Sequence, residues 1–543
     1  MSWIDALRRI SGVSRISRQI HARPARAHVA PYFQPATEVS LIAVATFFSV
    51  IFAFIGGFYL AVFKQYFISY LFIVIVPLLA LTLWSTPDTR GIRNHALRAY
   101  FLATVASLIL WPNYLAIAVP GLPWMALSRL LLFVCCILFL ISIAFSAQNR
   151  EIIKETLQQH SAMRTLLLMF LAIQLVTLPL SSDIGDSLNK LFSYYIYWIF
   201  VFFISLIVFQ EEKAVVRWSQ ILLFGAFVLC VITVREVQIG RILWAGHIPS
   251  FLQVDDPVVQ RILSLVKMRA GEYRAKATFS TPLSFAEFMV LVIPFAMSRM
   301  MNAKRLIMRF VFAAFIVFMI WAIIATGSRL GMIGLAITML GYALLWGIRR
   351  RNLRRTDLLG PTVVMLYPAL LILFSAAVMS SNRLYVMFIG GGQHQASNEA
   401  REVMMARGIP MIVKNPIGHG PGRGGQTLGY TNPAGQLTID NYFLNIGLEY
   451  GVIGLISFFG LIIGAIYIGV RTYLTSRRPD AEYAGAAALA LGAYFVIKTV
   501  LSQSQNQPFM FMMIAMVLAI SYRHTRIGAQ PGRREAPEPQ QGA

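Results

Sequence analysis

Between Ser381 and Tyr450 the chain gathers residues whose types and spacing could handle an anion and a proton. Asn441, Asn445 and Glu449 repeat every four residues, so on a helix they share one face, and Asp440 stands just before them. A carboxylate there could take a proton from a hydroxyl as a general base, could orient a bound molecule, or could cap the helix that follows. The same stretch holds Arg401, Arg407, Lys414 and Arg423. These cations point to anion binding, with simple solvation of a loop as the plainer reading. The run G-H-G-P-G-R-G-G, residues 418–425, would let a backbone approach a ligand closely, because glycine tolerates unusual dihedrals. His419 lacks a partner at metal-ligand spacing and reads as structural.

Further cations stand upstream. Arg274 and Lys276 precede an apolar run that begins near Pro282. Glu287 lies about 7 Å into that run at the helical rise per residue, where an unpaired carboxylate is costly and therefore a functional candidate. Arg329 sits at the start of another apolar run, in T-G-S-R-L-G. A cation at a helix N-terminus opposes the helix dipole. Either an anion bound beside it relieves the conflict, or its side chain reaches to lipid headgroups. Lys498, about one turn below the end of a later run, is expected to pair with Glu449 or Glu287 at similar depth.

These residues need a membrane scaffold. Of 543 residues, 57% are hydrophobic and 13% charged, half the charge density of an ordinary soluble domain. Apolar runs long enough to cross a bilayer recur near 40–63, 66–84, 98–119, 125–146, 164–181, 191–209, 216–235, 283–299, 307–326, 329–347, 360–380, 444–469, 483–501 and 507–522. The expectation is an all-α polytopic transmembrane bundle of about 12–14 spans, since the first pair and the 307–347 pair are tight. Residues 1–38 form a basic N-terminal segment, 39–522 the membrane domain and 523–543 a tail. Trp3, Ile4, Leu7 and Ile10 recur at helical spacing among Arg8, Arg9, Arg15 and Arg18, as in a helix lying on an anionic membrane face, although a disordered tail has the same composition.

The formal net charge of +24 falls in short inter-span loops, such as Arg349–Arg351 and Arg471 with Arg477 and Arg478. That distribution indicates topology and membrane surface rather than nucleic acid. The alternating loops W-P-N-Y near 111, S-S-D-I-G-D near 181 and S-Q-S-Q-N-Q near 502 nearly lack Lys and Arg. Both termini are therefore expected in the cytoplasm, with long outer loops at 236–282 and 381–443. Cys135, Cys136 and Cys230 all lie in apolar runs and suggest neither a disulfide framework nor a metal site.

Over about residues 270–470 the chain resembles the O-antigen ligase/polymerase superfamily, which includes Wzy-type polysaccharide polymerases. The resemblance rests on R-A-K-A-T-F-S-T-P-L-S-F-A-E-F, T-G-S-R-L-G, Arg401 upstream of K-N-P-I-G-H-G-P-G, and D-N-Y-F-L-N-I-G-L-E-Y-G-V-I-G-L. It implies a fold like the polyprenyl-phosphate-dependent glycosyltransferases, with a large periplasmic loop. It also implies a metal-independent, cofactor-free inverting transfer at the periplasmic face of the bacterial inner membrane. The implied donor is an undecaprenyl-diphosphate-linked glycan, and the implied partners are membrane lipid and other polysaccharide assembly proteins. Carried over by motif, Arg274, Arg329 and Arg401 would hold the diphosphate, with Arg423, Asn441 and Glu449 as further substrate-binding candidates. Guanidinium forks onto phosphate oxygens and would stabilise charge on the departing diphosphate. Many members, notably the ligases, have histidine where this chain has Asp440. That departure favours polymerisation of lipid-linked repeat units over ligation to lipid A core or protein. A lipid-linked sugar transporter is a third possibility, but it would favour inverted repeats and polar sites near the midplane, and neither is evident.

Overall fold

A computed structural model describes residues 29–31, 87–89, 94–118, 124–264, 268–269, 271–353, 356–389, 395–432 and 435–528. The expected surface helix in residues 1–38, the first two spans (40–63 and 66–84) and the tail beyond 528 lie outside the described residues.

Among those residues the chain is helical, apart from three short antiparallel pairings: Val29–Pro31 with Pro87–Thr89, Ala116–Ile117 with Met125–Ala126, and Met268–Arg269 with Glu272–Tyr273. The helices, in order, are α1 His95–Leu110, α2 Leu127–Phe145, α3 Ala147–Gln159, α4 Ser161–Thr177, α5 Ile184–Val208 with a π-helical turn at Tyr195–Phe200, α6 Glu212–Ile239 and α7 Pro257–Ser264. Then follow α8 Pro282–Asn302, α9 Leu306–Ala325, α10 Arg329–Leu353, α11 Leu359–Ser380, α12 Asn382–Phe388, α13 Gln395–Lys414, α14 Gly424–Leu428, α15 Tyr442–Thr475, α16 Ala481–Lys498 and α17 Gln507–Gly528.

Ten of these helices are long and apolar enough to cross a membrane: α2, α4, α5, α6, α8, α9, α10, α11, α15 and α17. Two expected spans fall short of that standard. Helix α1 has 16 residues, and α16, with 18 residues, carries Glu482 and Lys498 in an alanine-rich stretch. The protein is therefore a polytopic helical bundle.

Contacts divide the chain into residues 1–97 with 136–154, and residues 98–135 with 155–543. In the first unit Asn94, Ser142 and Asn149 form a small polar knot, in which Ser142 Oγ donates to Asn94 and Asn149 Nδ2 donates to Ser142. The second unit holds all the candidate residues.

At the centre of the second unit stands α8, buried over 83% of its most apolar window, whereas α11 is buried over only 6%. Helix α8 therefore belongs to the core, whereas α11 is apolar all round yet largely unpacked, as suits a helix against lipid. Helix α16 reads A-E-Y-A-G-A-A-A-L-A-L-G-A-Y, and its small side chains let α8 and α15 pack closely on it. Gly485 admits the ring of Tyr473, and Gly469 admits the backbone of Ala484.

Helix ends are set by local chemistry. Thr281 caps α8 by accepting from Ser284 N, with Pro282 at the first helical position. Helix α15 is interrupted at Gly451 (φ 63°, ψ −158°), which leaves carbonyls around the break without intrahelical donors.

Candidate functional site

Arg274 lies between the Met268–Tyr273 hairpin and α8. Its Nε donates to the Thr326 carbonyl at 2.8 Å, and Ala275 N donates to the Ala325 carbonyl at 3.0 Å. The segment is thus docked on the turn that joins α9 to α10. Gly327 in that turn has φ +58°, and a Cβ there would lie 3.3 Å from Arg274 Nε.

Two residues further on, Arg329 opens α10. Its Nη1 donates to Asn398 Oδ1 at 3.3 Å and its Nη2 to the Ile389 carbonyl at 3.0 Å. Arg401, one turn along α13, donates to the same Asn398 Oδ1 at 3.2 Å. One neutral oxygen therefore gathers two guanidinium groups from different helices, and Arg274 stands at the turn beside them. Like charges held this close repel, so an anion placed among them would be attracted by all three. Arg407 and Lys414, on the same helix as Arg401, are exposed and play no part in this cluster.

Asp440 joins the cluster from the α15 side. It is half-buried, and the charge of Arg401 acts on it. Burial raises its carboxyl above the usual carboxylate range, against the opposing pull of Arg401 and the Thr438 hydroxyl. The cap of α15 is Asn441, whose Oδ1 accepts from Leu444 N at 3.1 Å, so Asp440 is not needed for it. The preceding carbonyl, Ile439, accepts from the Ser502 hydroxyl in the α16–α17 loop, which fixes the approach of the chain to Asp440.

The expected polar stripe exists, but its members have internal partners. Besides capping α15, Asn441 donates to Met405 Sδ at 3.3 Å. Asn445 Nδ2 donates to Glu449 Oε1 at 3.0 Å, and Glu449 is 2% exposed. Asn441 thus caps the helix, and Glu449 lies in the interior beside it.

The glycine-rich turn also has internal partners. Its close backbone approaches are to the protein itself. His419 N and Gly420 N donate to the Leu448 and Glu449 carbonyls at 2.9 and 3.0 Å, and Val452 N donates to the Pro416 carbonyl at 2.9 Å. The turn therefore fills the break in α15 and satisfies the backbone groups freed there. A Cβ on Gly451 would lie 1.9 Å from the Pro416 carbonyl oxygen, so only glycine fits. His419 Nδ1 also lies 3.1 Å from the Leu448 carbonyl, in keeping with a structural role.

Arg423 is 3% exposed, and its guanidinium is spent on Asp186, Ser187 and Gln426. It pins the turn to α5.

Lys498 pairs with Glu287 at 2.9 Å rather than with Glu449. Both are almost wholly buried, at 0% and 1% exposure. Asn506 Nδ2 donates to the second Glu287 oxygen at 2.8 Å, and the ammonium lies over the rings of Tyr442 and Tyr494. This knot joins α8, α15, α16 and the loop before α17.

One important residue carries no signal in the sequence. Glu236, near the end of α6 and 1% exposed, accepts from Tyr273 Oη at 2.6 Å, Lys276 N at 3.3 Å and Ala277 N at 2.7 Å. Ala277 has φ +47°, a left-handed conformation that strains a residue with a Cβ. The Glu236 carboxylate thus clamps a strained loop on both sides of Arg274. Lys276 is buried and donates to the Ile262 carbonyl at 2.6 Å, so it supports the loop rather than the cluster.

Among the described residues no group of three or more His, Cys, Asp or Glu could hold a metal ion. Cys135, Cys136 and Cys230 are buried free thiols.

Residues 314–459 match the profile of a family described as O-antigen ligase. The matched stretch contains Arg329, Asn398, Arg401 and Asp440 and leaves Arg274 and Glu236 outside it. No curated protein matched the chain.

Proposed function

We propose that this membrane protein of the O-antigen ligase/polymerase superfamily transfers a glycan from undecaprenyl diphosphate to an acceptor sugar hydroxyl at the periplasmic face of the inner membrane. The observation that carries the reading is the single oxygen of Asn398 accepting from both Arg329 and Arg401, with Asp440 under the charge of Arg401.

In this reading Arg274, Arg329 and Arg401 grip the diphosphate. Asp440 takes the proton of the acceptor hydroxyl as that oxygen attacks the anomeric carbon from the face opposite the leaving group. The new glycosidic C–O bond forms as the bond to diphosphate breaks, with inversion. The electron pair leaves on the diphosphate, and the guanidinium groups stabilise the charge building there. Both termini would then lie in the cytoplasm.

Polymerisation of lipid-linked repeats is the form we favour, because a carboxylate stands at position 440. Ligation to lipid A core or to protein is the second reading, and the match to a family described as O-antigen ligase favours it. Deletion of the gene followed by analysis of lipid-linked intermediates separates the two. Accumulated single repeats mean a polymerase, and lipid-linked polymer that never reaches an acceptor means a ligase. Repeats held on the cytoplasmic leaflet would mean transport instead. Arg401→Ala should abolish glycan transfer with no loss of membrane protein, and full activity in that variant removes the diphosphate grip.

A further inference from the structure

A cavity of about 290 Å³ opens between α5, the start of α2 and the α16–α17 loop. Arg129 and Lys190 line it, together with the rings of Trp124, Tyr194, Tyr197 and Trp198, and no Asp or Glu does. It adjoins the α15 stripe, since Lys190 and Tyr194 are electrostatic neighbours of Glu449 and Lys190 packs over Gly422.

Lys190 senses the charge of Glu449, but no ion pair closes on either cation among the described residues. Asp186, one helical turn from Lys190, is taken by Arg423, and Arg129 donates to the neutral Trp124 carbonyl at 2.7 Å. Trp198 is 2% exposed and stacks on both Tyr194 and Phe511, so Trp124, Tyr194 and Tyr197 are the rings in position to meet a ligand. Tyr194 and Trp198 stack with centroids 3.9 Å apart and planes within 16°, while Trp124 remains 38% exposed. Gln505, also in the lining, accepts from Ser280 N and Oγ at 3.2 and 2.9 Å. The wall of the cavity is thereby tied to the segment that carries Arg274.

We propose that this cavity binds one acidic sugar, a hexuronic acid or a similar carboxylate-bearing ring, in the glycan that the protein processes. The proposal rests on the glycan-transfer reading above and adds the substrate class. Flat aromatic faces suit the apolar face of a pyranose. The unpaired cations suit a carboxylate that projects from the ring. The volume sits at the small end for a ligand pocket and fits a single residue of a chain rather than a lipid tail. A bare phosphate would leave the rings without a partner.

The test is binding to the full-length protein in detergent, followed by isothermal titration and saturation-transfer NMR. The probes are galacturonate and glucuronate trimers, their methyl esters and inorganic phosphate. At least one acid trimer should bind tenfold or more tightly than its ester. Arg129→Gln combined with Lys190→Gln should erase that preference, and Trp124→Ala should weaken acid and ester alike, both variants keeping the wild-type melting temperature. Equal binding of acid and ester, no binding of either trimer, or a preference that survives the double substitution would overturn the proposal. Tighter binding of phosphate than of the trimers would do so as well, by identifying a headgroup site. No turnover is needed, so Arg401→Ala should leave trimer binding unchanged. Loss of the transfer reading and loss of the acidic-sugar site therefore register in different measurements.

Discussion

Glu236→Ala probes the clamp around Arg274. The carboxylate accepts two short hydrogen bonds, from Tyr273 Oη and Ala277 N, and a longer one from Lys276 N. A hydrogen bond to a charged group contributes about 1.5–3 kcal/mol, so the two short ones are worth about 3–6 kcal/mol together. Alanine would also leave the buried Ala277 N–H without a protein acceptor. That N–H belongs to a residue already held at φ +47°, a strain of about 1–2 kcal/mol. The local loss is a large share of a total stability of about 5–15 kcal/mol. The loop should therefore loosen, and with it the bond from Arg274 Nε to the Thr326 carbonyl. The assay is a double-mutant cycle with Ala277→Gly, reading both thermal unfolding in detergent and glycan transfer. Glu236→Ala should lower the melting temperature and the transfer rate. Ala277→Gly alone should be neutral or stabilising, and in the Glu236→Ala background it should restore about 1–2 kcal/mol by removing the strain. A Glu236→Ala protein with wild-type melting and transfer would refute the clamp, and so would a double variant that melts no higher than Glu236→Ala alone.

Other outcomes follow from the same geometry. If Asp440 is the base, the transfer rate falls as pH drops through its raised pKa, because only the carboxylate accepts a proton. Thr438→Val removes a group that lowers this pKa, so the acidic limb of the pH–rate profile should move to higher pH; a limb that stays put removes Asp440 from the role. Lys498→Met leaves Glu287 buried without its partner and should cost about 3–5 kcal/mol in thermal unfolding. Adding Glu287→Gln should recover much of that, and a single variant that melts like wild type would contradict the buried pair. Gly451→Ala places a Cβ into the Pro416 carbonyl and should sharply reduce folded protein recovered from membranes. Gly492→Ala, which meets nothing within 4 Å, should be tolerated, and equal recovery of the two would count against the filled helix break.

The residues that stand out in the sequence are those with an unusual cost where they lie. Arginine at the mouth of a span and charged groups inside one are expensive, so Arg274, Arg329, Glu287 and Lys498 are conspicuous from position alone. Depth along the helices narrows the partner of Lys498 to two acids, and packing chooses Glu287. Asn398 is not conspicuous, because a lone asparagine in a polar loop has no cost to advertise. The same is true of Glu236, whose loop lies 37 to 41 residues away. The partner of Arg423, Asp186, is 237 residues distant, and an arginine in a glycine-rich turn looks the same whether it holds a ligand or its own protein.

The sequence by itself determined that the chain is a polytopic helical membrane protein, because apolar length and loop charge are local properties that the bilayer reads directly. It also determined which stretches carry cations and acids. Only the tertiary structure decided which of those groups share an oxygen, which are spent on anchoring, and that the glycine-rich turn fills a break in α15. These are pairings between segments far apart in the chain. Their geometry follows from helix packing and backbone satisfaction across the whole bundle, and no local pattern contains it.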